Sequence, residues 1–452
     1  MDLTSNDVGK EGVIFVLNWL KPNTTITTLN LSYNKIGKEG ACYVSEFLKT
    51  NSTITVINLY NNEIGIEGAK IISEGLKLNS TITSINLGFN KIGNEGVQSL
   101  TEHLRSNATI RSITLSSNKI DMKGAIFIAE CLKLNSTISF IELQGNQIGI
   151  EGSQHLSESL KSNSTITSIN LASNEIGNKG VEFISESLTV NSTITSINLQ
   201  GNQIGKKDEK GPLFIANFLK VNSTVTSIHL GSNALGVEGA RLISESLKAN
   251  SSVISIDLES TEIGKGAQFI SECIKLNSTI TSINLSNNNL YKEGAKLITE
   301  SLQSNTNIKQ IDLAVNRISN EGVKYLADCL KNSNSTVTSL NLQNNGFGDE
   351  GVKSLSECLL SNSSITSINL QGNQIRDEGA QCISTCLKSN STLMFLNLQD
   401  NQITLKAAHL LFNSLESNST LQSLNIRDNR LGQYMPSSFL SNPRFICTFH
   451  VV

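Results

Sequence analysis

The chain has 452 residues, with 36 Lys and Arg set against 39 Asp and Glu. Both signs are spread along it without a basic or acidic run, which argues against nucleic acid or an anionic membrane surface as partner. No apolar stretch approaches the roughly 18 residues of a membrane-spanning helix, and the start, MDLTSNDVGKEGVIFVLNWLK, sets Asp2, Asp7 and Glu11 around only a short apolar run, so it does not read as a secretory signal.

An Asn recurs every 28 residues, at Asn6, Asn34, Asn62, Asn90, Asn118, Asn146, Asn174 and Asn202. Residues 1–23 form a partial first unit, in which Leu3 is a strand remnant and the helix bearing Phe15 and Trp19 caps the core. Residues 24–432 hold about 15 repeats of about 28 residues, and residues 433–452, interrupted by Pro436 and Pro443, form a C-terminal cap. So regular a period predicts one elongated domain with a continuous core.

The unit from Asn163 to Asn191 shows the parts. Ile166, Ile169 and Leu171 alternate with Ser168, Asn170 and Ala172, the period of a short strand with one buried face. Asn174 ends the strand, and its amide can satisfy backbone groups that the bend leaves without ladder partners. Val181, Ile184 and Leu188 then fall on one helical stripe. The opposite helix face carries Glu and Lys three apart, as in Glu46 with Lys49, Glu74 with Lys77, Glu130 with Lys133 and Glu158 with Lys161, a solvated face with weak pairs. Strands about 4.8 Å apart against helices about 9 Å apart make the stack curve. The expected fold is an α/β right-handed solenoid, a horseshoe with a parallel sheet on the concave face and helices on the convex face.

At the helix end a second Asn recurs, as at Asn51, Asn79, Asn107, Asn163, Asn222, Asn334 and Asn418, and most instances spell N-x-[ST]. Capping by Asn in a left-handed conformation explains this residue better than glycosylation. Cys131, Cys273, Cys329, Cys358 and Cys386 share one helix position that holds Ser at Ser159, Ser187, Ser246, Ser301 and Ser414 and Gly at Gly75, so it is read as a site for small residues. Helix spacing of about 8 to 10 Å exceeds the reach of about 7 Å for a disulfide, so these thiols stay free; Cys382 and Cys386, one turn apart, read as a buried pair. Free thiols point to a reducing compartment.

Three departures interrupt the period. GKKDEKGP after Asn202 adds three residues, a charged rim protrusion. Thr261 replaces the strand-ending Asn, and one residue is lost near Gly264. The step from Asn316 to Asn345 is 29.

The frame N-x-I-G-x-E-G-A near the helix start with S-L-K-x-N at its end, seen from Asn62 to Asn79 and Asn288 to Asn305, resembles the ribonuclease-inhibitor type of leucine-rich repeat, over essentially the whole chain. That family includes the cytosolic ribonuclease inhibitor, the sensing ends of NOD-like receptors and the Ran GTPase-activating protein. The resemblance implies a cytoplasmic, non-enzymatic, monomeric scaffold that binds a partner protein through the concave sheet and the strand-to-helix rim. No G-x-x-x-x-G-K-[ST] occurs, so a nucleotide-binding module of the receptor kind is absent from this sequence. Regulation of a small GTPase is the alternative it raises, with Arg317 and Arg430 as the rim arginines to test; an unspecialised repeat array is the third.

Catalytic patterns are lacking. The histidines His103, His155, His229, His409 and His450 are far apart, and no HExxH, CxxC or nucleophile elbow occurs, so neither a metal nor a cofactor is expected. Outward strand positions are mostly Ser, Asn and Gln, for which a ladder of Asn amides bonded to one another is the plain explanation. Three groups rise above it as candidate protein-binding residues. Tyr33, Tyr60 and Phe89 come from consecutive repeats; His229, Asp257 and Glu259 place an imidazole beside carboxylates on adjoining strands; Asp400, Arg427, Asp428 and Arg430 make a polar rim. Phe140, with Glu142 and Gln144, and Phe395, with Gln399, stand alone.

Overall fold

In the unit that begins at Asn163, Ile166, Ile169 and Leu171 are at most 1% exposed while Ser168 and Asn170 are half-exposed. The alternation therefore makes the strand expected of it, and each repeat of the computed structural model adds one more. The structure describes residues 1–331, 335–432, 439 and 442–446.

Contacts divide the chain into two compact units, Met1–Asn233 and Ala234–Val452. In the first, Thr28–Asn30 (β1), Val56–Asn58 (β2), Ser84–Asn86 (β3), Ser112–Thr114 (β4), Phe140–Glu142 (β5), Ser168–Asn170 (β6), Ser196–Asn198 (β7) and Ser227–His229 (β8) pair in parallel in chain order. In the second, Ser255–Asp257 (β9), Ser282–Asn284 (β10), Gln310–Asp312 (β11), Ser339–Asn341 (β12), Ser367–Asn369 (β13), Phe395–Asn397 (β14), Ser423–Asn425 (β15) and Phe445–Ile446 (β16) do the same. A helix joins each strand to the next through β15. Val181, Ile184 and Leu188 of the helix Gly177–Val190 are fully buried. The fold is an α/β leucine-rich-repeat solenoid.

The strand-ending Asn fastens one repeat to the next. Asn62 Oδ1 accepts from the N–H groups of Asn34 and Ile36, at 3.0 and 3.4 Å, and its Nδ2 donates to the carbonyls of Leu31 and Tyr60, at 2.8 and 3.2 Å. The side chain is fully buried. Thr261 keeps part of this, with Oγ1 donating to Leu258 O at 2.6 Å.

The helix-end Asn works differently from the expectation. Asn79 is extended, with φ −85° and ψ 131°, and so are Asn51, Asn135 and Asn163; none is left-handed. Asn79 Oδ1 accepts from the N–H groups of Thr81 and Ile82, and Nδ2 donates to Leu48 O at 2.8 Å in the preceding repeat. The residue caps the following turn and ties two repeats together, so the left-handed ending is not needed.

On the helix surface, Glu46–Lys49 and Glu158–Lys161 pair as expected. Glu74 instead faces His103 at 3.7 Å and Glu130 pairs with Arg105, both in neighbouring repeats. The shared cysteine position is buried and its thiols are free. The expected preference for small residues is not general, because the same position holds His103 and the buried Phe47 and Phe218; it is local to Gly75, where a Cβ would lie 2.8 Å from the backbone oxygen of Ser45. Cys382 and Cys386 are also free, but only Cys386 is buried, so the expected buried pair is split.

At the N-terminus Leu3 N–H bonds to Asn30 O at 2.9 Å. The first helix, Gly9–Leu20, covers the core with Val13, Leu17 and Leu20. Phe15 and Trp19, expected to do this, are 74% and 59% exposed because they lie off that stripe. The inserted loop exposes Lys206 to Lys210, and Asp208 ties it to Asn178 at 2.8 Å. Where a residue is lost, a 3-10 turn, Gly264–Gly266, precedes the helix Ala267–Leu276. Near the C-terminus, Phe439 and Phe445 are buried and contact Phe412; Pro436, His450, Asn334 and most of 433–452 lie outside the described residues.

Candidate binding face

The strand-to-helix bend sets the backbone of the first candidate group. The residue before the strand-ending Asn is left-handed in successive repeats, at no steric cost in Gly145 but also in Ser117, Ser173 and Val315. Tyr33 and Phe89 hold the same position at φ 59° and 60° while 48% and 50% exposed. A bulky side chain there costs about 1 kcal/mol or more, and neither ring is deeply buried in return. Tyr60 precedes this position by one residue, yet its ring lies between the other two, with centroids 5.3 Å from Tyr33 and 5.5 Å from Phe89 and planes tilted by 54° and 44°. Gly88 makes room for it: a Cβ there would come within 2.9 Å of Tyr60 Cδ2. Partial burial, then the neighbouring Tyr33 hydroxyl, hold the Tyr60 phenol above its usual pKa. At the nearby rim Lys35 pairs with Asp7 at 2.9 Å.

Beside the rings the outward amides carry structure. Asn58 Oδ1 accepts from Tyr60 N–H at 3.0 Å and Asn86 Oδ1 from Gly88 N–H at 2.9 Å. The same turn recurs at Asn170, Asn198 and Asn369. The expected ladder of Asn bonded to Asn is corrected: Asn369, Asn397 and Asn425 donate instead to Oε1 of Gln343, Gln371 and Gln399. Gln is long enough to reach across to the next strand, whereas each Asn oxygen is already taken by its own turn.

The other candidates are placed as follows. Phe140 is a half-buried strand residue between Ser112 and Ser168. Glu142 beside it accepts from Gln144 N–H and from Asn170 Nδ2, and burial raises its carboxyl above the usual range. Phe395 is 46% exposed. His229 ends β8 in the first unit, with Nε2 3.2 Å from Ser227 Oγ; Asp257 ends β9 in the second, where its Oδ1 accepts from Glu259 N–H. Burial first, then the charges of Asp257 and Asp312, raise the Glu259 carboxyl. Asp428 accepts from Gln399 Nε2 at 2.7 Å, while Arg427 is exposed. Arg317 is exposed at φ 57°, with Nη1 3.5 Å from Tyr291 Oη, and Arg430 bridges to Thr404.

Sequence reasoning missed the exposed Phe15 and Trp19, although the i, i+4, i+7 stripe of Val13, Leu17 and Leu20 excludes both. Among the described residues no group of three His, Cys, Asp or Glu could hold a metal ion, and no helix is long and apolar enough to cross a membrane.

A family model described as Leucine Rich repeat matches residues 23–42, 78–100, 106–129, 162–185, 190–208, 221–244, 276–298, 304–327, 333–356, 361–384, 389–409 and 417–433. No curated protein matches the chain. Similar solved structures include the TLR13–ssRNA13 complex, at 15% identity and TM-score 0.53 over 92% of this chain and 65% of that one. Another is the leucine-rich repeat-containing protein LegL7 from Legionella pneumophila, at 20% identity and TM-score 0.42 over 64% of this chain and 83% of that one. Actin-binding site 2 of leiomodin-1 matches at 23% identity and TM-score 0.30 over 34% of this chain and 86% of that one. These likenesses speak to fold alone. With the repeat model matching more than half of its residues and the strand, buried Asn and helix recurring along it, the chain belongs to the leucine-rich-repeat family.

Proposed function

We propose that the protein is a monomeric, cytoplasmic, ribonuclease-inhibitor-type scaffold that binds a partner protein through its strand face and rim, with Tyr33, Tyr60 and Phe89 as anchors. The observation that carries this is the ring stack: two of the three aromatics occupy left-handed backbone positions while about half exposed, so the fold bears strain that packing does not repay. Strain of this kind concentrates at binding sites, and exposed aromatics are frequent hot spots. Buried free thiols and helix-end Asn amides engaged in caps support a reducing compartment over a glycosylated exterior.

The test replaces all three rings with Ser, the residue found at Ser116 and Ser117. Affinity capture from cytosolic extract with both proteins, read by mass spectrometry, should show a partner held by the parent and lost by the variant. A partner retained equally by both would move the site elsewhere. No enrichment over a control solenoid would count against the scaffold reading itself.

A further inference from the structure

The amide donors of the strand face are used unevenly. Where Gln343, Gln371 and Gln399 stand in the second unit, the amide nitrogens of Asn369, Asn397 and Asn425 have acceptors. The equivalent places in the first unit are Ser32 and Tyr60, and the Nδ2 groups of Asn58 and Asn86 donate to no described residue. Both side-chain oxygens are engaged, by Tyr60 N–H and Gly88 N–H. The face beneath the stacked rings therefore offers hydrogen-bond donors whose own acceptor atoms are in use. At the rim Lys35 is paired with Asp7, and the same step of the next two repeats carries the exposed Glu63 and Lys91, so the rim is of mixed sign.

We propose that this platform binds a proline-rich segment of a partner protein in the polyproline II conformation. The assignment rests on the scaffold reading above and narrows it. Proline brings carbonyl acceptors and no N–H, and the polyproline II backbone makes no internal hydrogen bonds, so its carbonyls are free to meet Asn58 and Asn86. Its rings pack on aromatic side chains, and its preformed conformation lowers the ordering cost. Successive ring spacings of 5.3 and 5.5 Å carry the stack over roughly one polyproline II turn of about 9 Å. A strongly acidic or basic peptide would meet charges of both signs at Lys35, Glu63 and Lys91, whereas an uncharged proline-rich segment needs neither.

Decaproline, and the same peptide with alternate prolines replaced by Ala, would be titrated calorimetrically into the full chain, into N58D/N86D and into Y33S/Y60S/F89S. Asp keeps the oxygen that caps the turn, as Asp257 and Asp312 do, and replaces the donor with a charged acceptor, to which an uncharged proline peptide is insensitive except through the lost donor. The expected result is saturable binding of decaproline, weakened roughly tenfold in N58D/N86D, as loss of a pair of modest hydrogen bonds requires, and abolished in the triple variant. The Ala-substituted peptide should bind more weakly. Absence of decaproline binding, or equal binding to N58D/N86D, overturns the proline assignment. If a captured protein still depends on the three rings in that case, the scaffold reading stands and only its ligand class falls. Decaproline binding unchanged in the triple variant would also overturn the proline assignment, since the peptide would then sit away from the rings.

Discussion

Asn62 donates from Nδ2 to the carbonyl of Leu31, 2.8 Å away and 31 residues back, while its oxygen receives the N–H of Asn34 at 3.0 Å. One buried side chain thus satisfies both a donor and an acceptor of the neighbouring repeat. Asn62→Ala leaves these groups without partners, each at about 1–3 kcal/mol, so a loss of about 3 kcal/mol or more is expected in urea unfolding. Asn62→Thr should lose less, because Thr261 shows a hydroxyl donating to the equivalent carbonyl of its own repeat at 2.6 Å. Equal losses for Ala and Thr would refute this account of the ladder.

Gly75 sits in the helix Gly65–Leu78, where Ala has the better intrinsic propensity by about 1 kcal/mol. The contact between helices opposes it, since a Cβ would come within 2.9 Å of Ser45 Cα as well as of its carbonyl oxygen. Overpacking costs typically about 1–3 kcal/mol. Gly75→Ala should therefore destabilise the chain, and a rise in midpoint temperature would show that the two helices can move apart freely.

Glu259 has its carboxyl raised in the fold, by burial first and then by Asp257 and Asp312. The folded state then holds a proton that the unfolded chain, near its ordinary value of about 4.3, has released. This contribution to stability is fully present below the unfolded value and is lost as pH rises through the folded one. Glu259→Gln should flatten stability against pH in that window. A profile identical to the parent's would show that this carboxyl ionises as it does in water.

Burial pushes the thiols of Cys131, Cys273 and Cys358 up to about 12 and those of Cys329 and Cys386 to about 11. The thiolate is the reactive form. In a Cys447→Ser background, iodoacetamide at pH 8 should label exposed Cys42 first, half-buried Cys382 more slowly, and the five buried thiols only in denaturant. Native labelling of Cys358 would place local opening in the second unit's helices.

The replacement of Glu74–Lys77 by Glu74–His103 shows where reading along one helix stops. Spacing reveals which residues share a face, but the partner across the groove depends on how the next repeat packs. Asn51 and Asn79 teach the same lesson: their role as caps could be read, whereas the extended backbone of both and the bond of Asn79 to the preceding repeat could not. Tyr60 is one residue out of register with Tyr33 and Phe89, and no periodic rule places its ring between theirs; the space above Gly88 does.

The sequence by itself determined the strand and the helix of the repeating unit and the buried Asn between them, because these follow from short-range alternation and helical stripes repeated at a nearly fixed step. Only the tertiary structure decided which aromatics stand exposed, which amides keep an unused donor and which carboxyls are raised. Those properties depend on neighbours about 28 residues away in the chain, whose distances and orientations are set by the packing of one repeat on the next.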